Sequence, residues 1–99
     1  MRITPQEAAA IRRVTTEVAG LHARVSLFGS RTRDDLRGGD IDLLIELPEP
    51  SVDKLSVSLR TGAKLQLALG ERKIDVLVTD PQTVDSPLIR AARAEGIVL

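Results

Sequence analysis

The chain has 99 residues, 14 basic against 14 acidic side chains, one histidine, no cysteine, no tyrosine and a single aromatic residue, Phe28. That composition excludes a disulfide framework, thiolate chemistry and a multi-histidine metal centre. Balanced charge and one aromatic side chain also argue against direct nucleic-acid binding, which favours a basic excess and stacking platforms.

A chain of this length makes one small domain, here taken as 1–99, with a single core. No apolar stretch is long enough to span a bilayer, and MRITPQEAAAIRRV lacks the apolar centre of a signal peptide. A cytoplasmic location is therefore expected.

Thr4-Pro5-Gln6-Glu7 predicts a helix start, with Thr4 as N-cap, Pro5 at the first helical position and Glu7 closing a capping box. Ile11, Val14, Val18 and Leu21 form its apolar stripe, and Gly20 ends it. ARVSLF, residues 23–28, predicts a strand with Val25 and Leu27 on one face. Gly29-Ser30 closes that strand and is expected to open a short helix. After a Gly38-Gly39 turn, IDLLIEL (41–47) predicts a second strand, rich enough in Ile and Leu to be buried on both faces. Pro48 and Pro50 stop it.

Ser51 is expected to cap a long helix reaching Leu69, with Gly70 as its C-terminal stop. Val52, Leu55, Leu59, Ala63 and Leu67 make its expected core stripe. Val57 and Leu65 fall roughly opposite, which suggests an interface with a partner or a second copy. KIDVLV (73–78) predicts a third strand. Ser86-Pro87 opens a last helix ending near Gly96, and IVL is expected to add a short edge strand. The alternation is that of an α/β domain.

Asp40 and Asp42 raise the chemical question. In a strand they point to the same side, and two like charges side by side repel. They persist together where a hard cation is shared, and an all-oxygen donor set suits Mg²⁺. A lone Asp-x-Asp at a strand start is most often just solvated. Here two further features accompany it. Gly29-Ser30 presents backbone N–H groups and a hydroxyl suited to phosphate. Asp75 opens the third strand. These groups converge only if the first two strands are antiparallel and the third runs parallel to the second through a helical crossover, expected to be right-handed. The expected fold is thus a small mixed sheet of three strands, with a possible fourth at the edge, flanked by helices.

Gly29-Ser30, nine intervening residues, Asp40-Ile41-Asp42 and the later Asp75 resemble the DNA polymerase β-like nucleotidyltransferase superfamily. The short chain, with GSRTR (29–33) leading to DIDLL (40–44) and the tail LIRAARAEGIVL, is similar to its minimal nucleotidyltransferase (MNT) branch. The resemblance implies that Asp40, Asp42 and Asp75 bind Mg²⁺, in a two-metal site, and are catalytic. It implies that Gly29, Ser30 and Arg31 hold the phosphates of ATP. It also implies an antitoxin that transfers AMP from ATP to a tyrosine of a partner HEPN ribonuclease toxin. With no tyrosine in this chain, a tyrosine acceptor must lie on the partner. A homo- or hetero-oligomer is a separate expectation. Asp34 and Gly39 depart from the family pattern, which has Gly and Ser there. The alternative is a non-catalytic module of the same fold that neutralises its partner by contact.

Overall fold

The computed structural model describes residues 3–29 and 41–99. Three helices and a four-stranded mixed sheet follow one another as α1 (Pro5–Ala19), β1 (Arg24–Phe28), β2 (Ile41–Glu46), α2 (Lys54–Leu69), β3 (Ile74–Thr79), α3 (Pro87–Glu95) and β4 (Ile97–Val98). The expected short helix after Gly29 and the Gly38-Gly39 turn lie outside the described residues. Among those described, no helix is long and apolar enough to cross a membrane.

The start of α1 follows the sequence signal closely. Thr4 Oγ1 accepts from the Glu7 N–H at 3.0 Å, and Glu7 Oε1 accepts from the Thr4 N–H at 2.8 Å. Two amides that the helix cannot satisfy internally are thereby paired. Glu7 also binds the Arg72 guanidinium at 2.7 Å, which ties the start of α1 to the approach to β3. The Thr4 N–H and then Arg72 hold the Glu7 carboxyl below its usual range, against an opposing effect of burial. Ile11 and Val14 enter the core as expected, whereas Leu21 is exposed. The helix ends at Ala19 with Gly20 as C-cap, so Leu21 has already left the stripe.

The sheet order is β3-β2-β1-β4. β1 and β2 are antiparallel, β2 and β3 parallel, and the tail strand β4 pairs antiparallel with β1. Alternation divides the side chains. Val25, Leu27, Ile41, Leu43 and Ile45 join Ile11, Val14 and Leu65 in one core beneath α1 and α2. The opposite face carries Ser26 and Leu44, both buried, under α3 with Ile89 and Ala92. β2 is thus covered on both faces over Leu43–Ile45, as its Ile/Leu density predicts.

α2 differs from the sequence expectation in its start and its rotation. It begins at Lys54, with Asp53 as N-cap. Ser51 instead accepts from the Asp53 N–H at 3.1 Å in a turn ahead of the helix. Its buried side chains are Val57, Thr61 and Leu65. The expected core stripe points outward: Val52, Leu55, Leu59 and Leu67 are exposed, Leu67 to 89%, and Ala63 with them. Val57 and Leu65 are therefore core residues and do not form the interface expected from their position in the sequence.

The physical reason is a row of polar ties that fixes the helix rotation. Lys54 Nζ reaches Asp80 Oδ2 at 2.9 Å. Ser58 Oγ donates to the Val76 carbonyl at 2.8 Å. The Gln66 side chain donates to the Arg72 carbonyl and accepts from the Arg72 N–H. Residues 54, 58 and 66 lie on the side facing β3, so the flank holding 57, 61 and 65 turns inward.

Asp80 anchors this crossover. Its carboxylate accepts from the Ser51 N–H, Lys54 Nζ, the Gln82 N–H and Thr83 Oγ1. The Ser51 hydrogen bond first, then Lys54 and Gln82, hold its carboxyl far below the usual range despite burial. It also sets a negative charge at the N-terminal end of α2, whose cap residue makes no side-chain bond.

Two outcomes follow. Leu65→Ala, at a fully buried site, lowers stability by about 2–5 kcal/mol, whereas Leu67→Ala changes it by less than about 0.5 kcal/mol. Urea unfolding followed by circular dichroism checks both; equal losses would contradict the observed rotation. The lowered Asp80 pKa stabilises the fold above the ordinary value of 3.8, and this contribution is lost as pH falls through and below it. Thermal melting from pH 7 to pH 3 is therefore less acid-sensitive in Asp80→Asn, though its midpoint at neutral pH is lower.

Candidate active site

The register of three strands brings together what the sequence separates. β1 delivers Phe28 opposite Asp42, and β2 places Asp42 opposite Asp75 on β3. The end of β1 and the starts of β2 and β3 thus share one edge of the sheet. The Ile41 N–H donates to the Lys73 carbonyl at 2.9 Å, pinning the starts of β2 and β3 together. Directly opposed residues on neighbouring strands project to the same face, about 5 Å apart. The two carboxylates therefore stand side by side on the face that also carries Phe28.

Gly29 is bound to this arrangement by backbone and space. Its φ is +78°, in the left-handed region where a side chain is strained. A Cβ built there would lie 2.5 Å from Asp42 Oδ2. The sequence suggests that Gly29 lets phosphate approach the backbone. In the fold it makes room for the Asp42 carboxylate at the point where β1 ends.

An open cavity of about 660 Å³ runs along the outer edge of β3, bounded by α2 and reaching Leu88 of α3. Asp42 and Asp75 share it with Phe28, Leu59, Ala63, Leu77 and Leu88. Sequence reasoning missed this apolar wall. Phe28, next to Gly29 and the only aromatic residue, was the one available signal. Leu59 belongs to the stripe that the sequence pattern assigns to the core, and nothing local marks Leu77 or Leu88. Ser58 and Gln66 also line the cavity, but their polar atoms are engaged with the backbone at Val76 and Arg72.

Of the six site residues expected from sequence, Gly29, Asp42 and Asp75 are brought to one edge. Ser30, Arg31 and Asp40 lie outside the described residues, as do Asp34 and Gly39. Among the described residues there is no cluster of three or more His, Cys, Asp or Glu suited to a metal. The described part of the expected donor set is the Asp42–Asp75 pair. Adjacent carboxylates supply the hard oxygen donors that Mg²⁺ prefers, and a shared cation relieves their repulsion. The pair fits that role.

A family model for a nucleotidyltransferase domain matches residues 10–97. The chain belongs to that family. No curated protein matches it. The match covers every strand position just described, from β1 to the first residue of β4. The small α/β fold with its mixed sheet is consistent with the polymerase β-like nucleotidyltransferase fold. Nucleotidyltransferase domains generally use a nucleoside triphosphate and a divalent metal. Phosphoryl chemistry of this kind asks a protein chiefly for positioning and charge neutralisation.

The geometry around Gly29 has a direct consequence. Gly29→Ala meets both the left-handed backbone penalty, about 1–2 kcal/mol, and the Asp42 carboxylate. Urea unfolding is expected to register a loss of at least about that size. Wild-type stability in this variant would contradict the described approach of Asp42.

Proposed function

We propose that this domain is a Mg²⁺-dependent nucleotidyltransferase that moves AMP from ATP to a tyrosine of a partner HEPN-type toxin and so acts as its antitoxin. The observation that carries the reading is the side-by-side placement of Asp42 and Asp75, next to the Gly29 end of β1. Like charges on directly opposed strand positions repel, and a hard cation shared by the two carboxylates relieves that repulsion.

In the reaction, the acceptor hydroxyl oxygen bonds to the α-phosphorus of ATP. The bond from that phosphorus to the oxygen bridging to the β-phosphate breaks, and pyrophosphate leaves with the electron pair. Asp42 and Asp75, with Asp40 as third carboxylate, would hold the divalent cation, one ion or two, which when bound would supply charge neutralisation at the transferring phosphate. Asp42, wedged against Gly29, is the more fixed of the described pair. Asp75, exposed at the cavity, orients the acceptor hydroxyl and receives its proton. Gly29, Ser30 and Arg31 hold the β- and γ-phosphates.

The absence of tyrosine from the chain supports an acceptor on a second protein. Small size points the same way, because one domain with one core has little room for a separate acceptor-binding unit. The adenylyl donor, the tyrosine acceptor and the HEPN-type partner rest on the resemblance to MNT proteins.

The test is transfer of label from α-³²P-ATP, with Mg²⁺, to a purified HEPN-type partner, followed by mass spectrometry of the modified residue. Asp42→Asn is expected to keep the fold, with a melting temperature no lower than that of the wild type because like-charge repulsion is relieved, and to lose transfer by about a hundredfold or more. Normal transfer by this variant would remove Asp42 from the mechanism. Neutralisation of the partner without labelling by the wild type would favour a contact-only module.

A further inference from the structure

The outward face of α2 is apolar along its length. Leu55 is 72% exposed and Leu59 64%, and Ala63 and Leu67 continue the row. At 1.5 Å per residue the row from Leu55 to Leu67 is about 18 Å long. It lies opposite the buried flank of Val57, Thr61 and Leu65. A helix apolar on both sides is normally covered on both. Single exposed apolar residues need no explanation, but a continuous row of this kind marks an interaction surface.

The row runs into the site. Leu59 and Ala63 line the same cavity as Asp42 and Asp75. A body seated on the row therefore sits beside the two carboxylates. A small acceptor would have no use for the ends of an 18 Å row.

Charge discriminates between a second copy and a different protein. α2 carries Lys54, Arg60 and Lys64 and no carboxylate between its ends. Lys54 is paired with Asp80 and Lys64 lies 3.7 Å from Glu17. Arg60 flanks the row, exposed. In a two-fold pairing of this face, residue 60 lies close to the axis when Leu59 is set against Ala63 of the other copy. The two Arg60 side chains then lie on the same flank of the seam, like charge beside like charge, and α2 of neither copy brings a carboxylate to pair with them. A partner with a carboxylate at that point meets one guanidinium with opposite charge.

We infer that the outer face of α2 seats the acceptor-bearing protein, which covers Leu55, Leu59, Ala63 and Leu67 with an apolar patch and opposes Arg60 with a carboxylate. This rests on the transfer reading for what the partner brings to the acids, but the docking surface is measured separately. Docking here orients the partner's hydroxyl toward the Asp42–Asp75 end of the cavity.

The test uses the full chain and a purified HEPN-type partner. Affinity is measured by calorimetry, self-association by sedimentation velocity, and AMP transfer at limiting partner in parallel. Leu55→Glu, Leu67→Glu and Arg60→Glu are expected to weaken partner binding at least about tenfold, as loss of an interface anchor does. Transfer is expected to fall in step, with melting temperatures unchanged. Val84→Glu, at an equally exposed site outside the row, is expected to bind as wild type. Undiminished binding by Leu55→Glu and Leu67→Glu overturns the seat, and undiminished binding by Arg60→Glu overturns the acidic contact. Self-association of the wild type that Leu55→Glu abolishes assigns the face to a second copy and overturns the inference, as does a wild type that does not bind the partner. Binding that depends on the row, without transfer, upholds the surface and removes the catalytic reading.

Discussion

Two carboxylates on adjacent parallel strands repel, and this fold is built so that they cannot move apart. The β2–β3 register sets Asp42 against Asp75, and the hydrogen bond from Ile41 to the Lys73 carbonyl closes the ladder at its first rung. Slipping the register by one residue would relieve the repulsion but would turn Ile41, Leu43 and Ile45 out of the core. Burial of those side chains, each fully excluded from solvent, outweighs the like-charge opposition. The core thus holds the two acids in opposition, and a cation shared between them, as proposed above, would offset the repulsion.

The rest of the chain can be understood as support for that register. Parallel strands need a long crossover, and α2 provides it. Asp80 fastens the start of α2 to the end of β3 through Ser51 and Lys54, while Gln66 and Arg72 fasten its other end to the approach to β3. β3 is an edge strand, and the Ser58 hydroxyl covers one of its outward carbonyls. On the other side of β2, the antiparallel β1 brings Gly29 to the carboxylate of Asp42. Three segments far apart in sequence meet at one edge because each is held by ties remote from it.

Much of this was legible in the residues. Thr4 and Glu7 specify the start of α1, and the Ile/Leu run of β2 specifies burial on both faces. The strand directions followed from requiring Gly29, Asp42 and Asp75 to converge, and the observed register agrees. The rotation of α2 was not legible, for a definite reason. The helix has two apolar stripes, and the one richer in leucine is the exposed one. Periodicity counts apolar residues, but the choice between stripes was made by Lys54, Ser58 and Gln66 reaching partners just past the next strand, within it and across the turn before it. The same blindness hid the cavity wall, since Leu77 and Leu88 become neighbours of the acids only after the sheet and α3 are assembled. The matched nucleotidyltransferase domain spans both acids; the outward leucines require a reason of their own.

The central claim is that Asp42 and Asp75 act together on one cation. Mn²⁺ titrated into ¹⁵N-labelled protein tests it most directly, because paramagnetic broadening reports distance from the bound ion without a turnover. The account predicts that broadening at low Mn²⁺ centres on the amides of Gly29, Asp42 and Asp75, and that either Asp42→Asn or Asp75→Asn abolishes it. Broadening centred elsewhere, or unchanged when either carboxylate is removed, would contradict it.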